Sequence, residues 1–90
     1  MSGVDDLPVQ PGDVLDADNG EMWLVLAVTV PEDRVPTATY VPVTVSKGAM
    51  GTRFHGWGER THTLAAVREF APEKVLPELA ADVLRWWRGV

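Results

Sequence analysis

The sequence predicts a mainly β domain that ends in a C-terminal α-helix, and three observations lead to this prediction. An Asn19-Gly20 pair lies between two β-prone segments, which is a strong signal for a hairpin. Residues 22–30 are apolar on both alternating faces, as expected of a strand covered on both sides. Pro77 precedes apolar residues at helical spacing. Because 90 residues suffice for only one core, we expect a single domain over residues 9–90 after a flexible N-terminal arm, residues 1–8.

A third strand is predicted where side-chain character alternates, over residues 37–45. One face of this strand carries Val41, Val43 and Val45, and the other carries Tyr40, Pro42 and Thr44. Because proline cannot donate a hydrogen bond to a neighbouring strand, we expect Pro42 to lie on an edge strand or at a bulge.

The segment between residues 52 and 70 allows more than one structure. Residues 52–63 have the composition of a strand or a hairpin interrupted at Gly56-Trp57-Gly58, and residues 61–70 fit a further strand or a short helix. If the glycine-rich segment forms a symmetric turn, His55 and His62 face each other across the hairpin.

The final helix is predicted to run from Pro77 to Arg88. Proline is favourable in the first turn, and the arginines near the end complement the helix dipole. Trp86 lies about 100° from Trp87 around the helix, so one face cannot bury both rings equally well. The apolar stripe that we expect to pack on the sheet consists of Leu76, Leu79, Ala80, Val83 and Trp87.

Composition disfavours several classes of protein. The absence of cysteine excludes a disulfide framework and a thiolate metal site. The longest apolar run, residues 22–30, is shorter than the roughly 20 residues of a membrane helix. The first ten residues are acidic, whereas a signal peptide begins with basic residues. We therefore expect a cytoplasmic protein with no membrane partner.

The net charge of −5 argues against a general nucleic-acid binder, but the charge is unevenly distributed. Residues 1–36 contain eight acidic residues and one arginine, whereas residues 37–68 contain four basic residues against Glu59 alone. The middle of the chain is therefore suited to face an anion. The alternative is that these are solvated charges on the loops of an acidic protein.

His55 and His62 are candidate general acid–base residues because an imidazole titrates near neutral pH. A metal site would need a third ligand, and the nearest acid, Glu59, lies at the proposed turn. The alternative is that both are ordinary surface histidines. We expect no metal and no cofactor.

The same segment mixes aromatic and cationic side chains, a combination that suits stacking on unpaired bases beside phosphate contacts. The alternative is that Phe54 belongs to the core and Trp57 packs on a hairpin. The residues concerned are Tyr40, Phe54 and Trp57 among Arg53, His55 and Arg60.

Five segments, taken in order, resemble the MazF/PemK toxin family, and the resemblance extends over residues 10–89. They are Pro11-Gly12-Asp13-Val14, the apolar second strand, Tyr40-Val41-Pro42-Val43-Thr44, Val67-Arg68-Glu69-Phe70 and Pro77-Glu78-Leu79. The resemblance implies a small SH3-like β-barrel closed by the C-terminal helix and a homodimer. It also implies a metal-independent endoribonuclease that cuts single-stranded RNA and is neutralised by an antitoxin. Thr44 matches a position at which members carry a catalytic hydroxyl.

Other positions depart from the family pattern. The family's arginine at the start of the second strand falls near Glu21 or Met22, the preceding loop is reduced to the Asn-Gly turn, and an acid of some members falls on Ala65. Losing a group that stabilises the charged transition state commonly costs about a hundredfold or more in rate. The sequence therefore favours either a member of weakened catalysis or a barrel used only for binding.

Two functional hypotheses follow. The first is a MazF/PemK-like toxin-type protein that acts on single-stranded RNA, with the arginines and histidines of the middle segment substituting for the missing groups. The second is a non-enzymatic SH3-like barrel module that binds another protein through its acidic first third or an exposed tryptophan. Under the first hypothesis, the catalytic candidates are Thr44, His55 and His62, and the nucleic-acid-binding candidates are Lys47, Arg53, Trp57 and Arg60.

Overall fold

The computed structural model describes residues 9–17 and 19–89, so the predicted N-terminal arm lies outside the described residues. The described part is mainly β and ends in an α-helix, which confirms the coarse fold prediction. The elements in chain order are β1 (Val14–Asp16), β2 (Met22–Thr29), β3 (Thr37–Gly48), β4 (Gly51–Gly56), β5 (Arg60–Thr63), α1 (Leu64–Phe70), β6 (Glu73–Lys74) and α2 (Pro77–Arg88).

The predicted first hairpin is present, with β1 antiparallel to β2 and Asp16 opposite Met22. Its turn is wider than a two-residue turn, because Ala17 N–H donates to the carbonyl of Glu21 at 3.0 Å. Gly20 has φ of +85°, and no other described residue of this turn has a positive φ. The Asn19 side chain instead accepts a hydrogen bond from the Glu21 N–H at 3.2 Å.

The second strand is the centre of the sheet, as its sequence predicted. Trp23 and Val25 belong to a core cluster that includes side chains of α1, whereas Met22 and Leu24 belong to a second cluster that includes side chains of α2. Both faces of β2 are therefore buried, which explains why its sequence does not alternate between polar and apolar residues.

The third strand is the longest, and it pairs with three others. Its first part pairs with β2 on one side and β5 on the other, and its last part pairs with β4. Pro42 thus lies in an inner strand, so the expectation of an edge position is wrong. The carbonyl of Pro42 accepts from the Trp57 N–H at 2.9 Å, in the interval between β4 and β5. Because no strand pairs with β3 at this interval, no hydrogen bond is lost through the absence of an N–H group on Pro42.

The sheet is antiparallel and open. Its order is β4-β3-β2-β1-β6, with β5 beside β4 along the same side of β3, and its ends do not pair in the part of the chain that the structure describes. The described sheet is therefore not closed into a barrel.

A short helix follows β5, so of the two alternatives for residues 61–70 the helix is confirmed for residues 64–70 and the strand for residues 61–63. Thr63 is its N-cap, and the Thr63 hydroxyl accepts a hydrogen bond from the Ala66 N–H at 3.2 Å. Leu64 and Val67 are buried against the sheet, whereas Phe70 remains 58% exposed.

The C-terminal helix covers the opposite face of the sheet over the predicted residues, with Val83 completely buried. Leu79, Ala80 and Trp87 are partly buried, as the stripe predicted. Leu76 was placed in this stripe wrongly, because it precedes the helix and is 76% exposed. Trp86 and Trp87 are both partly buried, with ring centroids 6.0 Å apart.

Gly56 allows Trp86 to approach the sheet closely. A Cβ atom at Gly56 would lie 2.8 Å from Trp86 Cη2, whereas one at Gly58 would have no neighbour within 4 Å. We expect Gly56→Ala to lower the free energy of unfolding by about 1–2 kcal/mol because the indole must shift. Gly58→Ala should change it little. Urea denaturation followed by tryptophan fluorescence measures both, and equal midpoints would contradict this packing.

Candidate functional site

Six of the seven predicted site residues lie on one face of the sheet. Thr44 is opposite His55 and Ser46 is opposite Arg53, while Ala38 and Tyr40 are opposite His62 and Arg60. These β3 positions are even-numbered, and successive side chains in a strand point to opposite faces, so Thr44 shares a face with its four counterparts on β4 and β5. Trp57, between β4 and β5, is the sixth, because it contacts Thr44 and His55. We call the following residues the polar strip: Thr44, Arg53, His55, Trp57, Arg60 and His62.

Trp57 connects Thr44 and His55 at the middle of the polar strip. Its indole Nε1 donates to Thr44 Oγ1 at 3.3 Å, and its ring meets the His55 ring edge-on with centroids 4.5 Å apart. The Trp57 side chain is nevertheless 52% exposed. An accessible aromatic ring, an imidazole and a hydroxyl are therefore held together on the surface.

The two histidines do not face each other. β4 and β5 both run antiparallel to β3 instead of pairing with each other, so the symmetric hairpin is wrong. His55 pairs with Thr44 and His62 with Ala38, a separation of about 20 Å along β3. A single metal ion or reaction centre cannot use both rings.

Lys47 is the one predicted site residue on the other face. It pairs with Thr52, one register position beyond Arg53, and is exposed near the end of the β3–β4 hairpin. Arg53 is exposed at the outer edge of the polar strip, where it also borders the groove between β4 and α2. Phe54 lies on the α2 face, where its ring centroid is 5.8 Å from that of Trp86. Phe54 therefore packs, and does not extend the polar strip.

Arg60 and His62 border a cavity of about 210 Å³ between the sheet and α1. We call it the aromatic cavity. At its base, Tyr40 and Trp23 stack with centroids 4.2 Å apart and planes inclined by 20°. The His62 ring lies 6.0 Å from Tyr40. The complete lining is Trp23, Tyr40, Arg60, His62, Ala66, Val67 and Phe70.

Burial raises the pKa of the Tyr40 phenol above its ordinary value of 10.0, and the nearby Arg60 guanidinium partly opposes this effect. The Glu21 carboxylate acts in the same direction as burial. Tyr40 therefore stays protonated at physiological pH and remains a hydrogen-bond donor. Arg60 interacts with the phenol, which holds its guanidinium beside the aromatic cavity.

Three residues of this region were not predicted to belong to a site. Glu21 accepts a hydrogen bond from Trp23 Nε1 at 3.1 Å and is close enough to influence Tyr40. Trp23 was predicted only as a strand residue, and Phe70 only as part of a strand or a short helix. The i, i+2 spacing of Glu21 and Trp23 was a usable signal, since it places both side chains on one face. The exposure of Phe70 had no signal in the sequence.

The geometry can place a phosphate and a base on one surface. Opposed residues have Cβ atoms about 5 Å apart, so His55 can reach a group bound over the Thr44 hydroxyl. Arg53 and Arg60 lie on either side of this pair and can each contact a phosphate, while the Trp57 ring offers a stacking surface.

Neither a membrane segment nor a metal cluster is found in the described ranges. No helix there combines the length and the apolar character needed to cross a membrane. Within residues 9–17 and 19–89, no three histidine, aspartate or glutamate side chains are grouped so that they could hold a metal ion.

No family model, curated protein or solved structure matches this chain. The resemblance to the MazF/PemK family therefore stays a prediction that rests on the five quoted segments. The function has to be argued from the geometry of the polar strip.

Proposed function

We propose that the protein binds single-stranded RNA along the polar strip and does not cleave it rapidly. The observation that carries this proposal is the exposed Trp57 ring between Arg53 and Arg60 on an open sheet face. Proteins that bind single strands combine stacking rings with cations that follow the phosphates, and the polar strip has both.

The charge distribution supports a single strand over a duplex. The polar strip has two arginines and no clustered lysines, and the chain as a whole carries a net charge of −5. Duplex binders gain their affinity from many phosphate contacts, which this surface does not offer. A single strand exposes its bases to Trp57 and needs fewer charges.

Slow cleavage follows from the chemistry around Thr44. His55 is positioned to act as a general base, and the Thr44 hydroxyl can donate a hydrogen bond to a phosphate oxygen. The position that the resemblance assigns to an arginine falls near Glu21 or Met22, so it holds no guanidinium, and the Glu21 carboxylate lies near Tyr40. A carboxylate opposes the negative charge that develops at the phosphate, whereas a guanidinium would stabilise it.

On the basis of the resemblance, the proposal also includes a specific fold type, an oligomeric state and a partner. It comprises an SH3-like barrel of the MazF/PemK kind, a homodimer and an antitoxin or other protein partner. The succession of antiparallel strands followed by a C-terminal helix supports it.

The test is fluorescence anisotropy with a labelled, unstructured 12-nucleotide RNA across a salt series. Single strands lose affinity with a slope of about 0.7 per phosphate contacted, so one contact each from Arg53 and Arg60 gives a roughly sevenfold loss between 50 and 200 mM salt. Gel analysis of the same samples over several hours should show little cleavage.

Two results would contradict the proposal. Absence of binding at 50 mM salt would favour the non-enzymatic protein-binding module. Rapid cleavage that Thr44→Val abolishes would show that Glu21 does not impair catalysis. A duplex DNA of equal length is the matched control, and it should bind more weakly than the RNA.

A further inference from the structure

We propose that the aromatic cavity receives one unstacked base of the bound RNA and selects guanine. This inference rests on the proposed RNA binding and adds a specificity site to it. Three properties of the cavity support the inference, namely its size, its aromatic lining and its polar groups.

The volume of the aromatic cavity suits a single ring system. Pockets for drug-sized ligands measure about 300–1,000 Å³, whereas this one measures about 210 Å³. A whole nucleotide cofactor is therefore too large, but a base can enter while its sugar and phosphate remain outside.

Phe70 lines the cavity but is not buried in the hydrophobic core. The α1 residues Leu64 and Val67 are buried in the core, but Phe70 is 58% exposed and borders the cavity. An exposed phenyl ring beside a cavity is suited to stack on a base, as aromatic side chains do in single-strand recognition. The His62 imidazole borders the cavity from β5.

The polar groups of the cavity favour guanine. Arg60 has only donors, and the Tyr40 phenol, whose ordinary pKa of 10.0 is raised further by burial, is protonated at neutral pH. Guanine presents two adjacent acceptors, O6 and N7, to which arginine binds in a bidentate manner. Adenine keeps the N7 acceptor but places an amino donor where guanine has O6, and cytosine also presents an amino donor, so neither can accept both hydrogen bonds from Arg60.

The cavity is close enough to the polar strip for one RNA strand to occupy both. Arg60 belongs to the strip and also borders the cavity. Tyr40 and Thr44 are four residues apart on β3, which is about 13 Å. A strand with a phosphate at Arg53 thus passes the mouth of the cavity within a few nucleotides, where Arg60 can bind a guanine.

The experiment compares a labelled 12-nucleotide oligouridine with the same RNA containing one central guanine, by fluorescence anisotropy at 50 mM salt. The guanine should increase affinity about tenfold or more, since a bidentate contact discriminates against the wrong base by that order. Phe70→Ala and Arg60→Gln should remove this gain. The matched controls Leu76→Ala and Arg88→Gln, at exposed positions outside the cavity, should keep it.

The outcomes separate this inference from the function on which it rests. If neither RNA binds, RNA binding itself is wrong and the inference fails with it. If both RNAs bind equally, or Phe70→Ala keeps the guanine preference, the guanine site is wrong, whereas RNA binding along the polar strip is not contradicted. Guanosine monophosphate should also shift the indole N–H resonance of Trp23 in two-dimensional NMR spectra, and shifts confined to other tryptophans would overturn the assignment.

Discussion

The double variant Leu79→Ala/Val83→Ala is expected to lower the free energy of unfolding by about 3–5 kcal/mol. Val83 has no exposed surface and Leu79 is partly buried, and both contact the second core cluster. Truncating a buried leucine typically costs about 2–5 kcal/mol, with partly buried sites at the lower end. A loss of this size is a large part of the total stability of a small domain, about 5–15 kcal/mol.

Leu76→Ala is the matched control, because it makes the same change at a position that is 76% exposed. It should alter stability by less than about 0.5 kcal/mol. Chemical denaturation followed by tryptophan fluorescence measures both variants, and two of the four tryptophans, Trp86 and Trp87, lie on the helix. A double variant as stable as the wild type would show that the helix does not hold the sheet together.

The elements that could be predicted from the sequence are those whose burial has a regular period. β2 lies between two helices and is apolar on both faces, whereas α2 has one packed face and repeats every three to four residues. Pro77 marked the start of α2 because its missing N–H needs no partner in the first turn. These signals are local, so they survive in a single sequence.

The neighbours of each strand could not be predicted in the same way. Gly56-Trp57-Gly58 resembled the turn of a hairpin, but it is the interval at which the chain passes from β4 to β5 along β3. What fixes this interval is Pro42, a residue 15 positions earlier that lacks an N–H for a continuous partner strand. Long-range hydrogen bonding therefore decided the register, and local composition did not show it.

The candidate site also has one part that depends on local sequence and one part that depends on which strands pair. Arg53 and His55 lie on one face because they are two residues apart in β4, and a two-residue period can be recognised in a single sequence. The stack of Trp23 on Tyr40 is a diagonal contact between neighbouring strands, because Trp23 is opposite Pro42. It depends on the pairing of β2 with β3, so the aromatic cavity emerged only from the structure.

Reversing both charges of the polar strip should abolish RNA binding. In Arg53→Glu/Arg60→Glu, two phosphate contacts are lost and two repulsive charges are introduced. Charge-assisted hydrogen bonds contribute about 1.5–3 kcal/mol each, so affinity should fall at least about a hundredfold. Both side chains are exposed, so the variant should fold like the wild type. Anisotropy at 50 mM salt, with circular dichroism as the check on folding, measures the effect.

The control variant Arg34→Glu/Arg88→Glu changes the net charge of the chain by the same amount at exposed positions outside the polar strip. Comparing the two variants separates a local contact from the general field of the protein. The field acts over about a Debye length, about 10 Å at 0.1 M salt, and acts on the RNA in both variants. A direct contact between an arginine and a phosphate is lost only in Arg53→Glu/Arg60→Glu. If both variants lose affinity equally, the RNA responds to overall charge, and the polar strip is not its binding surface.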